Sequence, residues 1–261
     1  MCLIVFSYRQ HPEYPFIFAG NRDEFLDRPA APMHFWPDAP DVLAGRDLRG
    51  GGTWLGLTRH GRFATVTNVR EPDRIDPEAP TRGQLPVRFL LGDDPPDAFL
   101  DALEPEAPRY NGFNLLVGDG TTLHYFSNRC GRQVLAPGLY GLSNARLDTP
   151  WPKVERARAR LAALLAEDGS DLEACFDLLA DDTPAPDDAL LATGLSPEWE
   201  RALSPIFIRA PGYGTRVSTV ILVRSDGRTT VAERTYSPGG GPTATWTFEL
   251  DWAPAWTGGG G

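Results

Sequence analysis

The sequence predicts an α+β protein with mainly antiparallel sheets and a few amphipathic helices that cover the sheet faces. Short β-prone segments recur in pairs around glycine-containing turns, whereas helical periodicity is confined to a few stretches. The 261 residues include 27 glycines and 25 prolines, which favour turns over long helices. Because 41% of the residues are apolar, a chain of this length buries its own core. We expect a single domain over residues 1–261, ending in a disordered tail at residues 257–261.

The chain begins with a predicted β-hairpin. An apolar segment over residues 2–8 is followed by a proline-containing turn and a second apolar segment over residues 16–20. Antiparallel pairing about that turn sets Cys2 opposite one of residues 21–23. The first strand therefore starts beside the charged run of residues 21–24.

Three further hairpins are predicted around His60-Gly61, Asp119-Gly120 and Asp226-Gly227, because glycine adopts turn conformations that other residues resist. Asn68 falls at the far end of the first of them. The paired segments are residues 53–58 with 62–68, 114–118 with 121–126, and 218–224 with 229–236. Residues 29–47 and 184–195 are interpreted as loops that set the size of a pocket.

Helical periodicity is clearest over residues 153–167, where Val154, Ala157 and Leu161 begin an apolar stripe opposite charged side chains. Shorter helices are predicted at residues 84–91, 96–103, 172–180 and 197–203. We expect these helices to pack on the outer faces of the sheets.

The charge balance excludes several classes of partner. The chain carries 25 Lys and Arg against 35 Asp and Glu, a net charge of -10, so its field repels nucleic-acid phosphates and anionic lipid surfaces. The apolar runs are far shorter than the ~20 residues that cross a bilayer, so we expect no stable membrane insertion. The amino terminus lacks the pattern of a secretory signal, so a cytoplasmic location is expected.

The three cysteines, Cys2, Cys130 and Cys175, predict neither a disulfide framework nor a metal site, because they are odd in number and include no close pair. No metal is expected from the histidines either. The four histidines lack the spacing of a zinc site; they are His11, His34, His60 and His124.

Cys2 is the residue with the clearest chemical potential. Removal of Met1, which is usual before a small residue, would give Cys2 both a thiol and a free α-amine. Such an amine titrates near 8, close to the thiol, so one residue would hold a nucleophile and its base. Arg22 would favour the thiolate, and Asp23 or Glu24 would orient the ammonium form. The alternative is a small apolar residue in a buried strand beside an ordinary ion pair.

Four motifs together resemble the NRDE protein family, also called the transport and Golgi organization protein 2 family. The motifs are Cys2, the run Asn21-Arg22-Asp23-Glu24-Phe25, the stretch Gly51-Gly52-Thr53-Trp54-Leu55-Gly56, and Thr67-Asn68. The family is similar in turn to the cysteine N-terminal nucleophile hydrolases, such as penicillin V acylase and the bile salt hydrolases. The resemblance therefore implies their fold, a four-layer αββα sandwich.

The resemblance also implies roles for particular residues. Cys2 corresponds to the nucleophile, Asn68 and Asn144 to the asparagines of the oxyanion site, and Arg216 to an arginine that lines the pocket together with Arg22. Trp54 and Glu24 are expected to bind substrate. The hydrolases place their aspartate three residues after the arginine, whereas Asp23 follows Arg22 directly and residue 25 is Phe, so the carboxylate partner is either Asp23 or Glu24.

Two functions are implied. The first is an amidohydrolase without a cofactor, which cleaves a non-peptide C–N bond in a small-molecule amide through Cys2. The second is a non-enzymatic carrier of haem or lipid, in which the hydrolase pocket binds without cutting. A structural scaffold with an inert, buried Cys2 is a third hypothesis. The sequence does not indicate the oligomeric state.

Overall fold

The computed structural model describes residues 2–167 and 171–252. Met1 and the predicted tail at residues 257–261 lie outside the described residues. The strands are β1 (Cys2–Tyr8), β2 (Phe16–Phe25), β3 (Ala30–Trp36), β4 (Ala39–Asp47), β5 (Leu55–Thr58), β6 (Phe63–Asn68), β7 (Phe113–Gly118), β8 (Leu123–Ser127), β9 (Gly131–Val134), β10 (Gly138–Leu142), β11 (Arg209–Ala210), β12 (Tyr213–Val223), β13 (Arg228–Tyr236) and β14 (Pro242–Asp251). The helices are α1 (Gln84–Leu91), α2 (Pro96–Leu103), α3 (Pro152–Glu167), α4 (Leu172–Leu179) and α5 (Pro197–Ala202).

Two seven-stranded antiparallel sheets form the centre of the molecule. The first has the strand order β10-β1-β2-β12-β13-β14, with the short β11 paired to β12. The second runs from β3 to β9 in chain order. Cys2 pairs with Arg22 across β1 and β2, which confirms the register predicted from the first hairpin.

The two sheets pack face to face and each carries helices on its outer face. Side chains from both sheets, among them Ile4, Phe18, Leu57 and Phe63, form the core between the sheets. A second apolar cluster joins the outer face of the first sheet to α3 and α4. A third joins the outer face of the second sheet to α1 and α2. The fold is therefore a four-layer αββα sandwich, as the resemblance implied.

The predicted hairpins and helices are present, with ends that differ by a few residues from the predicted ones. The turn glycines explain why these hairpins are visible in the sequence. Gly61, Gly120 and Gly227 have φ angles of 86°, 90° and 91°, a region in which a side chain is strained.

One predicted loop is wrong. Residues 29–47 form the β3–β4 hairpin, whose register shifts twice along its length. Its prolines hide the strand pattern, and Pro32 is tolerated because β3 lies at the edge of its sheet. The other predicted loop, residues 184–195, contains a short 3-10 helix at Asp187–Ala189. Within the described ranges, no helix has the length and apolar character needed to cross a membrane.

Candidate active site

Strand β2 sorts the residues of the charged run onto two faces, because successive side chains of a strand point to opposite sides of the sheet. Asn21 and Asp23 face the helix layer. The Asn21 amide donates to the carbonyls of Leu179 and Ile206, at 2.9 Å each. Arg22 faces the space between the sheets, beside Cys2.

A cavity of about 130 Å³ opens between the sheets at this end of β1 and β2. Its lining brings together six of the residues expected from the sequence: Cys2, Arg22, Asp23, Glu24, Trp54 and Asn68. Asp23 belongs to this lining although its side chain lies on the helix face of β2. Cys2 lines this cavity from a largely buried position and is 7% exposed. The Ser143 hydroxyl donates to the backbone carbonyl of Cys2 at 2.9 Å and thereby fixes the start of β1.

Burial controls the chemistry of the Cys2 thiol. Desolvation raises its pKa, and the charge of Asp23 acts in the same direction, whereas Arg22 lowers the pKa. The neutral thiol is therefore favoured, and a nearby base is needed to make the nucleophile.

Arg22 belongs to a chain of alternating charges along the cavity wall. Its guanidinium lies 3.4 Å from the carboxylate of Glu24, and Arg28 approaches the same carboxylate oxygen at 3.7 Å. Arg28 also binds Asp47, with a shortest N–O distance of 2.6 Å. The Glu24 side chain is thus shared between two arginines.

Asp23 is the buried carboxylate of the site and is only 2% exposed. The Thr215 hydroxyl donates to Asp23 Oδ1 at 2.7 Å. Burial raises the pKa of Asp23, and the main charge that opposes this rise is Lys153 on α3. The two alternatives for the carboxylate partner therefore differ in their setting: Asp23 is enclosed and faces a lysine, whereas Glu24 is partly exposed between arginines.

The two asparagines occupy different positions. Asn68, at the end of β6, lines the cavity. Asn144 lies behind it and is 1% exposed, and its side-chain amide donates to the backbone carbonyl of Asn68 at 2.9 Å. Asn144 is not among the residues that line the cavity. Its contact instead fixes the backbone that carries Asn68.

Arg216 is also outside the cavity lining. It is the extra residue of a β-bulge in β12, where the pairing with β2 shifts between Thr215 and Val217. Its guanidinium donates to the carbonyls of Phe25, Leu26 and Arg28, at 3.0, 3.2 and 3.1 Å. Arg216 therefore supports the connection that follows β2.

Several charged residues of the site lie outside the set predicted from the sequence, among them Arg28, Arg46 and Asp47 in the cavity lining. Arg82 lines the cavity from the segment before α1, and Glu233 lines it from β13. Lys153 lies behind the site, where its ammonium donates to the carbonyl of Leu203 at 3.1 Å. Burial lowers the pKa of Lys153 to about 8. Within residues 2–167 and 171–252, no group of three or more His, Cys, Asp or Glu residues is arranged to hold a metal ion.

The four layers, with Cys2 at the cavity between the sheets, define the fold of the N-terminal nucleophile hydrolases. A solved structure of the Caenorhabditis elegans ortholog of N-acylethanolamine-hydrolyzing acid amidase is similar to this fold, with a TM-score of 0.51. The similarity covers 85% of this chain and 92% of the worm protein at 10% sequence identity, and it concerns the fold alone.

The chain belongs to the Transport and Golgi organisation 2 family, whose family model matches residues 1–238. It is 39% identical over 263 residues to the Bos taurus Transport and Golgi organization protein 2 homolog and 36% identical over 263 residues to the Homo sapiens homolog. Each match covers 90% of this chain and 92% of the relative. These matches confirm the family that the sequence motifs indicated.

Proposed function

We propose that this protein is an amidohydrolase that cleaves a non-peptide C–N bond of a small-molecule amide, with Cys2 as its nucleophile. One observation carries the proposal: Cys2 lines a cavity that is also lined by an arginine, Arg22, and an amide donor, Asn68. A thiol at a cavity beside a cation and a hydrogen-bond donor is the minimal equipment for acyl transfer.

The reaction requires removal of Met1, because only then does Cys2 carry a free α-amine. That amine takes the thiol proton as the sulfur attacks the substrate carbonyl. The tetrahedral intermediate then expels the amine product, which receives the proton, and a thioester remains on Cys2. Water, deprotonated by the same α-amine, attacks the thioester, releases the acid and restores the thiol.

Asn68 is proposed as the side-chain donor to the oxyanion, a role in which loss of one donor costs about 3 kcal/mol of barrier. Asn144 acts through Asn68, because it binds the Asn68 carbonyl and does not line the cavity. Arg216 likewise acts indirectly. It binds the backbone carbonyl of Arg28 in the connection after β2, and Arg28 in turn contacts Glu24. Asp23 is the better candidate to hold the α-ammonium form, because it is buried and acts on the Cys2 thiol electrostatically.

Intact-mass spectrometry before and after treatment with a thiol-reactive acyl probe tests the first requirement. We expect a mass that lacks Met1 and an acyl adduct on Cys2 that persists when the exposed Cys130 is replaced. Cys130→Ser is the matched control because Cys130 is an exposed free cysteine, and it should leave the adduct on Cys2 unchanged. A mature protein that retains Met1 contradicts the mechanism.

Turnover of a panel of small para-nitroanilide amides tests the second requirement. Cys2→Ser should lower turnover at least about a thousandfold, whereas Cys130→Ser should leave it unchanged. Equal activity of the wild-type and Cys2→Ser proteins would refute the proposal. A Soret shift on titration with haem that persists in Cys2→Ser, without turnover of any amide, would favour the carrier function instead.

A further inference from the structure

The cavity has a second end, formed by the carboxyl group of Glu233 on β13. Glu233 is 1% exposed, yet it belongs to the cavity lining. The backbone N–H of Met33 donates to Glu233 Oε1 at 2.7 Å. A side chain on Gly45 would begin 3.8 Å from Glu233 Oε2, so the glycine leaves the space beside this oxygen open.

The strand order sets the distance between this end and the nucleophile. Cys2 pairs with Arg22, Arg22 with Val217, and Val217 with Thr235 on β13. These are three strand-to-strand steps of ~4.8 Å each, or ~14 Å in all. Glu233 lies two residues from Thr235 on the same face of β13, so it stands at the opposite end of the cavity from Cys2.

Glu233 differs from the other carboxylates of the cavity wall in its charge partners. Glu24 and Asp47 form ion pairs with arginines. Within the described part of the chain, Glu233 forms no ion pair, and its hydrogen bond comes from a neutral backbone N–H. Burial raises its pKa to about 7, and Arg22 on β2 is the charged side chain that lowers it.

We propose that Glu233 is a specificity residue that binds an ammonium group at the far end of the substrate, so that the substrates are amides whose acyl chain ends in a primary amine. This inference rests on the proposed function of Cys2. An ammonium supplies both a donor to Oε2 and the missing positive charge. A terminal methyl group would leave a buried carboxylate unpaired, and a terminal carboxylate would be repelled.

Two series of para-nitroanilides of increasing chain length test this inference, one made from ω-amino acids and one from fatty acids of equal length. We expect the amino series to give a kcat/KM at least about tenfold higher at its best length, because a site built for a donor rejects an analogue that lacks it. Glu233→Gln should bring the ratio close to one. Glu249→Gln, an exposed carboxyl on β14, is the matched control and should leave the ratio unchanged.

Calorimetric binding to the Cys2→Ser protein separates this inference from the proposed function. The ω-amino amide should bind more tightly than its alkyl partner, and more tightly at pH 8 than at pH 6, because Glu233 ionises over this range while the amine stays charged. If binding depends on Glu233 but the wild-type protein cleaves no amide, the Glu233 site stands and the hydrolase proposal fails. Equal binding of the two series, tighter binding of an ω-carboxylate, or an unchanged preference in Glu233→Gln would overturn the inference.

Discussion

The two faces of β2 carry opposite kinds of residue from one short stretch of sequence. On the helix face, the Asn21 amide makes two hydrogen bonds of 2.9 Å to backbone carbonyls, and its oxygen accepts a 2.6 Å bond from Ser218. On the cavity face, Arg22 contacts Glu24 at 3.4 Å. The first face therefore fixes the strand in the fold, whereas the second presents charged groups to the cavity.

The largest loss of stability is expected for Asn21→Ala. This change leaves two backbone carbonyls buried without their donor and the Ser218 hydroxyl without an acceptor for its proton, which should lower the free energy of unfolding by about 4 kcal/mol. Urea denaturation followed by circular dichroism measures the difference. Arg22→Ala, one residue further along the same strand, is the comparison. A loss in Arg22→Ala as large as that in Asn21→Ala would refute the division between the faces.

The second prediction concerns Lys153, the only lysine of the chain, which is 2% exposed. Lys153→Met should lower the free energy of unfolding by about 3 kcal/mol at pH 7, because it leaves Asp23 buried without its main opposing charge. The double variant Lys153→Met/Asp23→Asn should recover most of this loss. Additive losses in the double variant would show that the two residues are not coupled.

The stability of the wild-type protein should also depend on pH through the titration of Lys153. Its pKa is lowered from 10.5 to about 8 in the folded protein. Between these two values the unfolded chain holds a proton that the folded protein has released, so this lysine makes stability rise with pH across that window. The rise should be absent in Lys153→Met.

The sequence is most informative about the fold where local rules of structure apply. The hairpin register placed Cys2 beside Arg22, since a turn between two adjacent strands leaves little freedom. Asn68 was recognised at the end of its strand. The position of Asn144 behind Asn68 could not be derived, because it depends on a contact between segments 76 residues apart.

To different degrees, the sequence indicates the burial of the site residues that were not predicted. Lys153 lies four residues before Ala157 and shares its buried helix face. A charged residue on an otherwise apolar face is a signal that the sequence alone contains. Glu233 follows the buried Val231 by two residues and therefore faces the same core. Arg82 lies in an irregular segment before α1, where no periodicity predicts the direction of a side chain.

The third prediction concerns Glu233, on the cavity side of its sheet, and the expected change is a gain of stability. Glu233 holds its proton up to about pH 7, above the ordinary value of 4.5. Between these values the folded protein binds more protons than the unfolded chain, so this group lowers stability as the pH rises. Glu233→Gln should therefore stabilise the protein by up to about 3 kcal/mol at pH 8 and by almost nothing at pH 4.

Thermal unfolding at both pH values measures this effect. Glu249→Gln is the matched control, because this exposed carboxyl on β14 lies outside the cavity lining. It should change stability little at either pH. Equal effects of the two substitutions, or a loss of stability in Glu233→Gln at pH 8, would contradict the view that this buried carboxyl opposes folding.

The smallest effect on stability is expected for Arg22→Gln. Its effect on the reactivity of the Cys2 thiol should be larger. The ion pair with Glu24 is long at 3.4 Å and Arg28 remains to bind Glu24, so the loss of stability should stay below about 1 kcal/mol.

Arg22 lowers the pKa of the Cys2 thiol, so the loss of Arg22 should slow alkylation by iodoacetamide on the order of threefold. The measurement uses a Cys130→Ser background, since Cys175 is buried and its pKa is raised to about 12. Arg46→Gln, at a cavity arginine that binds Asp38, is the control. The same slowing in both variants would mean that the general field of the cavity, rather than the residue paired with Cys2, sets the reactivity of the thiol.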